Sequence, residues 1–218
     1  MSGDVCDNWS LDLSKENNAM HLTVPTMLTL LRIALVPVLV VVFFLPYSWT
    51  NVACVIIFVA AAVTDIADGA IARSTGQTSR FGAFLDPVAD KIMVSTALVL
   101  LVAQYSDPAE VVAHPAVFAI AAAIIIGREI TISALREWMS EIGESARVQV
   151  SGIGKLKTIF QMTAIGFLLY REDLLFLPVS LIGELLLYTA AALTLWSMWS
   201  YLKSAWPAIS PGRGNSSE

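Results

Sequence analysis

Long hydrophobic runs, broken by short polar connections, set the pattern of this chain. Apolar stretches long enough to cross a bilayer as helices start near Met27, Val52, Ile92, Pro115, Thr158 and Leu174, several of them with a few polar residues at one end. Lipid offers no water to an unpaired N–H or C=O, so runs of this length are expected to be helical. The pattern predicts an all-α integral membrane protein, with six transmembrane helices in one catalytic domain over residues 22–206. A polar tail precedes it (1–21) and another follows (207–218). "MSGDVCDNWSLDLSKENNAMH" has neither a basic n-region nor an apolar h-region, which argues against a signal peptide, and its lack of arginine argues against a transit peptide. It reads as a mobile tail, and the turn-rich "SPGRGNSSE" reads as disordered.

Composition agrees with the pattern. Of 218 residues 56% are hydrophobic and only 14% charged, and the mean hydropathy is +0.71, too apolar for a soluble domain. The net charge of -5 says little about partners, because the acids gather in the N-terminal tail, in short connections and around the second and third helices; nothing in it points to nucleic acid. Cys6 lies in the polar tail and Cys54 in an apolar run, so no disulfide can be argued, and the two histidines have no zinc-site spacing.

The position of lysine and arginine carries more information. The connections around Pro46 to Asn51 and Tyr105 to Pro115 carry none and that around Arg171 carries one, whereas the other basic residues fall on the opposite side. By the positive-inside rule both termini, the stretch between the second and third helices and "RVQVSGIGKLK" are cytoplasmic, and "WSMWSY" fits an interfacial aromatic belt. Counted from the non-cytoplasmic helix ends, Arg32, Asp65, Asp90, Arg128 and Lys157 each lie 13 residues in. At 1.5 Å per residue that is a common level roughly 20 Å deep. Snorkelling explains a lone Arg32 or Lys157, but not aspartates, whose side chains are short. A shared polar cavity open to the cytoplasm, with acids on helices two and three and bases on one, four and five, accounts for all five.

"DIADGAIARSTGQTSRFGAFLDPVADK" holds four of the acids. Asp65 and Asp68 are spaced i, i+3, and Asp86 and Asp90 i, i+4, so each helix offers two carboxylates to its neighbour. Such a set in a low dielectric must bind cations or share protons, and an all-oxygen donor set suits Mg²⁺ or Mn²⁺. Two divalent ions balance four aspartates. Gly69, Ala72 and Gly82 leave room for a ligand against the backbone, and Arg73 places a phosphate-binding cation beside the metals. Metals with phosphate point to phosphoryl transfer. Pro87 reads as a first-turn proline that starts or tilts helix three.

These residues spell D-x-x-D-G-x-x-A-R-x(8)-G-x-x-x-D-x-x-x-D without a gap, eight fixed positions over 26 residues. The stretch resembles the signature of the CDP-alcohol phosphatidyltransferases. "VPTMLTLLRIALVP", "GREITISALREWM" and "GKLKT" extend the resemblance, from about Thr23 to Tyr201, to the bacterial members that use glycerol 3-phosphate. It implies that Asp65, Asp68 and Asp86 ligate a two-metal site, and that Asp90 helps ligate the second metal and acts as general base. It also implies that Gly69, Ala72, Arg73, Gly82 and Thr26 border CDP-diacylglycerol, and that the chain is a homodimer, multi-pass in a bacterial inner membrane among its lipids.

The acceptor is read from the bases. Arg128, Arg136, Lys155 and Lys157, with Arg32 at the same level, favour an anionic alcohol over inositol or choline. With the resemblance, sn-glycerol 3-phosphate becomes the expected acceptor, and phosphatidylglycerol phosphate and CMP the products. The competing reading is that these bases serve topology or pair with Glu129 and Glu137. Inositol phosphate, or phosphatidylglycerol to give cardiolipin, are the rival acceptors. A divalent-cation transporter is the rival class; it leaves Arg73 and the small-residue lining unexplained, and the chain lacks paired broken helices or an inverted repeat. Glu184, deep in the last helix, is expected to seal a polar contact inside the bundle or at a dimer interface.

Overall fold

The computed structural model describes residues 23–75, 80–105, 114–143, 152–173 and 177–209. The N-terminal tail, most of the C-terminal tail and residues 147–151 of the "RVQVSGIGKLK" connection lie outside them, as do the side chains of Ala72, Arg73 and Lys155. Among the described residues six helices run in order: α1 Val24–Phe43, α2 Thr50–Thr75, α3 Arg80–Tyr105, α4 Pro115–Glu141, α5 Gly152–Tyr170 and α6 Val179–Ile209.

Local chemistry sets the visible ends. Pro25 and Pro115 sit in the first turns of α1 and α4, where the missing N–H costs nothing. Gly143, at φ +76°, turns the chain after α4, and its N–H donates to the Ser140 carbonyl at 3.2 Å. Arg171 takes the same left-handed backbone without being glycine, at φ +66°, and its guanidinium lies 4.4 Å from the centre of the Phe43 ring. Helix α3 departs from the expectation. It starts at Arg80, so Pro87 stands inside it rather than in its first turn. The proline N cannot donate to the carbonyl four residues back, but the ring is exposed and the flanking turns continue.

Among the described residues, four helices are long and apolar enough to cross a membrane by composition, with spans Val24–Phe43, Thr50–Ile71, Pro115–Glu141 and Val179–Lys203. A shorter apolar stretch, Leu156–Tyr170, lies in α5. The outer faces are as apolar as the interior: Val41, Ile56, Ile66, Ile130 and Trp199 are all more than half exposed, as lipid-facing positions should be.

Packing closes the six helices into a ring. Helix α1 packs on α2 and α3, α2 on α5, α5 on α6, α6 on α4, and α4 on α3. Leu39, Phe58, Leu98, Phe118, Ile125 and Leu168 fill its interior on one side. Close approach is needed where α5 meets α6: a Cβ on Gly183 would sit 2.9 Å from Leu168 Cγ. This ring brings the polar ends of α1, α2 and α3 to one site.

Candidate active site

The i, i+3 and i, i+4 spacings turn Asp65 and Asp68 of α2, and Asp86 and Asp90 of α3, toward Arg32 of α1. The Arg32 Nη1 lies 3.0 Å from Asp65 Oδ1 and 3.5 Å from Asp86 Oδ1 and also contacts Asp90 Oδ1, while Nη2 donates to Asp68 Oδ2 at 2.5 Å. Arg32 is 1% exposed and its Nε has no hydrogen-bond partner. Asp68 is also buried, whereas the other three aspartates keep 41% to 45% of their side chains accessible. Arg32, expected beside the acceptor, is bonded to all four acids.

One guanidinium facing four carboxylates, one of them buried, leaves an excess of negative charge at this site, which bound cations or protons would offset. Oxygens of Asp65, Asp68 and Asp86 lie within 4.8 Å of one another, close enough to share an ion. Their donors are all hard oxygens, so the site fits Mg²⁺ or Mn²⁺ in both charge and chemistry. Of the expected nucleotide-side residues, Gly69 continues α2 one residue beyond Asp68, Gly82 lies one turn before Asp86 on α3, and Thr26 is buried near the start of α1. The Thr26 and Thr23 hydroxyls lie 2.9 Å apart.

The bases form a second cluster. Glu129 Oε1 accepts from both Arg128 Nη1, at 3.2 Å, and Lys157 Nζ. Arg128 Nη2 donates to Ser197 Oγ at 3.4 Å, and its guanidinium stands 5.7 Å from the Tyr201 ring centre. Arg136 reaches the same ring and donates to its hydroxyl at 3.4 Å. Arg128 and Lys157 are buried and Arg136 is exposed.

A cavity of about 570 Å³ lies between the clusters, lined on its polar side by Arg32, Asp65, Asp90, Lys91, Glu129 and Gln161. Its floor is apolar, with Phe58, Met93 and Met162. The expected cavity level is therefore present, but α4 presents Glu129 to it and α5 presents Gln161, with Arg128 and Lys157 behind. Sequence reasoning treated Glu129 only as an ion-pair partner and missed Gln161, which is buried with an unpaired Oε1. Gln161 lies four residues after Lys157, so the helical spacing was there to be read. Glu184 sits apart; it is buried and accepts a 2.5 Å hydrogen bond from the Tyr188 hydroxyl one turn on.

Comparison with known proteins adds a further set of findings. The sequence model of the CDP-alcohol phosphatidyltransferase family matches residues 22–196. The protein named CDP-diacylglycerol--glycerol-3-phosphate 3-phosphatidyltransferase in Yersinia pestis (strain Pestoides F) is 51% identical over 187 residues, which cover 86% of this chain and 97% of that relative. Proteins of the same name in Pectobacterium atrosepticum and Sodalis glossinidius are each 52% identical over 186 residues, covering 85% of this chain and 96% of each relative.

Proposed function

The chain belongs to the CDP-alcohol phosphatidyltransferase family, and on that premise we propose that this membrane enzyme transfers the phosphatidyl group of CDP-diacylglycerol to sn-glycerol 3-phosphate. The products are phosphatidylglycerol phosphate and CMP, the entry to anionic phospholipids. The observation that carries the chemistry is the convergence of Asp65, Asp68, Asp86 and Asp90 on Arg32, with Asp65 and Asp90 lining a cavity that Glu129, paired with Arg128 and Lys157, lines from across it. The acceptor follows from the name and near full-length identity of the relatives.

Two divalent cations, Mg²⁺ or Mn²⁺, held by the four aspartates, would neutralise the diphosphate and the leaving CMP. The residues of the chain do the rest. Asp90 accepts the proton of the acceptor hydroxyl as its oxygen bonds to the phosphatidyl phosphorus, and the bond from that phosphorus to the CMP oxygen breaks. Gly69, Ala72, Gly82, Thr26 and Arg73 border the nucleotide, with Arg73 at the diphosphate. Arg128, Lys155, Lys157 and Arg136 hold the acceptor phosphate. Arg32 acts through the aspartates, keeping them convergent. The apolar floor formed by Phe58, Met93 and Met162 favours a lipid donor over a free nucleotide.

The acidic cluster faces the cytoplasm, where CDP and glycerol 3-phosphate chemistry is supplied, and the enzyme is a homodimer in a bacterial inner membrane. The test is CMP release from CDP-diacylglycerol by the purified protein, across a panel of glycerol 3-phosphate, inositol phosphate, phosphatidylglycerol and inositol. Release with glycerol 3-phosphate alone supports the reading, and release with another acceptor alone replaces it.

A further inference from the structure

Glu129 stands where the assigned acceptor site should offer positive charge. Its side chain is 26% accessible, while those of Arg128 and Lys157 behind it are 9% and 3% accessible. At this basic cluster a phosphate in the cavity therefore meets the Glu129 carboxylate before Arg128 or Lys157, and both cations are already bonded to a single oxygen of that carboxylate. The bridge also spans a gap. Among the described residues helix α4 packs chiefly on α3 and α6, and α5 chiefly on α6 and α2, with at most a marginal contact between α4 and α5, so the Glu129–Lys157 pair links two separate arms of the ring.

We infer that Glu129 is a specificity-determining residue, an internal anion that holds the phosphate place on Lys157 and Arg128 and is displaced by the phosphate of the acceptor. This deepens, and rests on, the reading of the cavity as an anionic-acceptor site. Two buried cations without an anion would be costly in the bilayer, so the empty site needs a resident counter-charge. An uncharged alcohol cannot replace that charge; a phosphomonoester can. The bridge stays closed against an acceptor without phosphate and opens for one with it, which gives selectivity without a dedicated lid. The displaced carboxylate swings on a flexible side chain toward the cavity, where no covalent change is needed.

The cost of opening appears in affinity. If the bridge is closed in roughly 70–90% of molecules, it raises the apparent KM for the acceptor about three- to tenfold. Glu129→Gln keeps the shape and can still accept from Lys157 through its amide oxygen, but removes the competing charge. In the full-length protein in mixed micelles, the KM for glycerol 3-phosphate and the inhibition constant of inorganic phosphate should both fall about three- to tenfold, with the KM for CDP-diacylglycerol unchanged. In a Lys157→Gln background the same substitution should lower both constants by less, since only the Arg128 pair is left to relieve. Glu129→Asp, too short to keep the bridge, should shift both constants the same way by less, and it decides the matter if the Gln variant does not fold. A raised KM for glycerol 3-phosphate would mean that Glu129 orders the site or contacts the acceptor hydroxyls, and unchanged constants would make the bridge purely structural; either overturns the inference. A fall in the KM for CDP-diacylglycerol instead would place the lipid diphosphate, not the acceptor, at these cations, and overturns it too. If the unaltered protein releases no CMP with glycerol 3-phosphate, the acceptor assignment fails by itself; inorganic phosphate binding then tests Glu129 alone, with tighter binding in Glu129→Gln supporting the displacement and unchanged binding refuting it.

Discussion

Asp65, Asp68 and Asp86 each bring an oxygen within 4.8 Å of the others, so replacing any one by asparagine removes a charge and one of the carboxylate oxygens proposed to hold the ion. Metal affinity should drop at least about tenfold, and activity with it, as read by Mn²⁺ binding and by the Mg²⁺ dependence of turnover. Asp90→Asn should behave differently, losing about 10²- to 10⁴-fold in kcat with a smaller change in metal need, because the proposed general base is removed. Equal behaviour of all four would mean that Asp90 has no separable role. Arg32 makes a third case. Buried and shared among four carboxylates, it is their counter-ion, so Arg32→Gln should destabilise the metal-free protein by about 3–5 kcal/mol, and Mg²⁺ should raise the melting temperature of the variant more than that of the parent. The aspartates were legible in the sequence because helical spacing and a near-gapless motif mark them. The place of Arg32 was not, since its depth in α1 could be counted but its partners depend on how α1 meets α2 and α3.

Helix count and order were legible from apolar run length alone, because a membrane permits few other backbone solutions. Element boundaries were less so. Pro87 marks a first turn in most contexts, yet α3 extends from Arg80 through it, with an exposed face that tolerates the missing bond. Contacts between helices were invisible for a related reason: small residues are frequent in membrane helices, and only the packed structure shows which ones are required. Gly183 is required, since a methyl group there meets Leu168 at 2.9 Å, while Gly166 has nothing within 4 Å of the same probe. Gly183→Ala should therefore lower stability by about 1–3 kcal/mol in detergent, and Gly166→Ala should be neutral or better. Thermal unfolding of the two variants side by side checks this.

At the level of the whole molecule, the ring α1, α2, α5, α6, α4, α3 puts the carboxylate cluster against α1 and the basic cluster against α6, with the cavity between them. Charge distribution predicts which membrane face that cavity opens to. In a background lacking Cys6 and Cys54, a cysteine at Ser48 should react only with reagent applied outside, and one at Ser151 only from the cytoplasm; labelling of Ser151 from outside would invert the arrangement. Fold and reaction class were thus readable from the sequence, whereas the place of Glu129 and Gln161 at one cavity depends on how α4 and α5 face it. The account stands on the pairing of a metal-binding carboxylate set with an anionic acceptor, and radiolabelled CMP release tests that pairing most directly. With CDP-diacylglycerol, glycerol 3-phosphate and Mg²⁺, the purified protein should form CMP and phosphatidylglycerol phosphate in equal amounts, and EDTA should stop both. CMP formation that persists in EDTA, or that requires an uncharged alcohol in place of glycerol 3-phosphate, would contradict it.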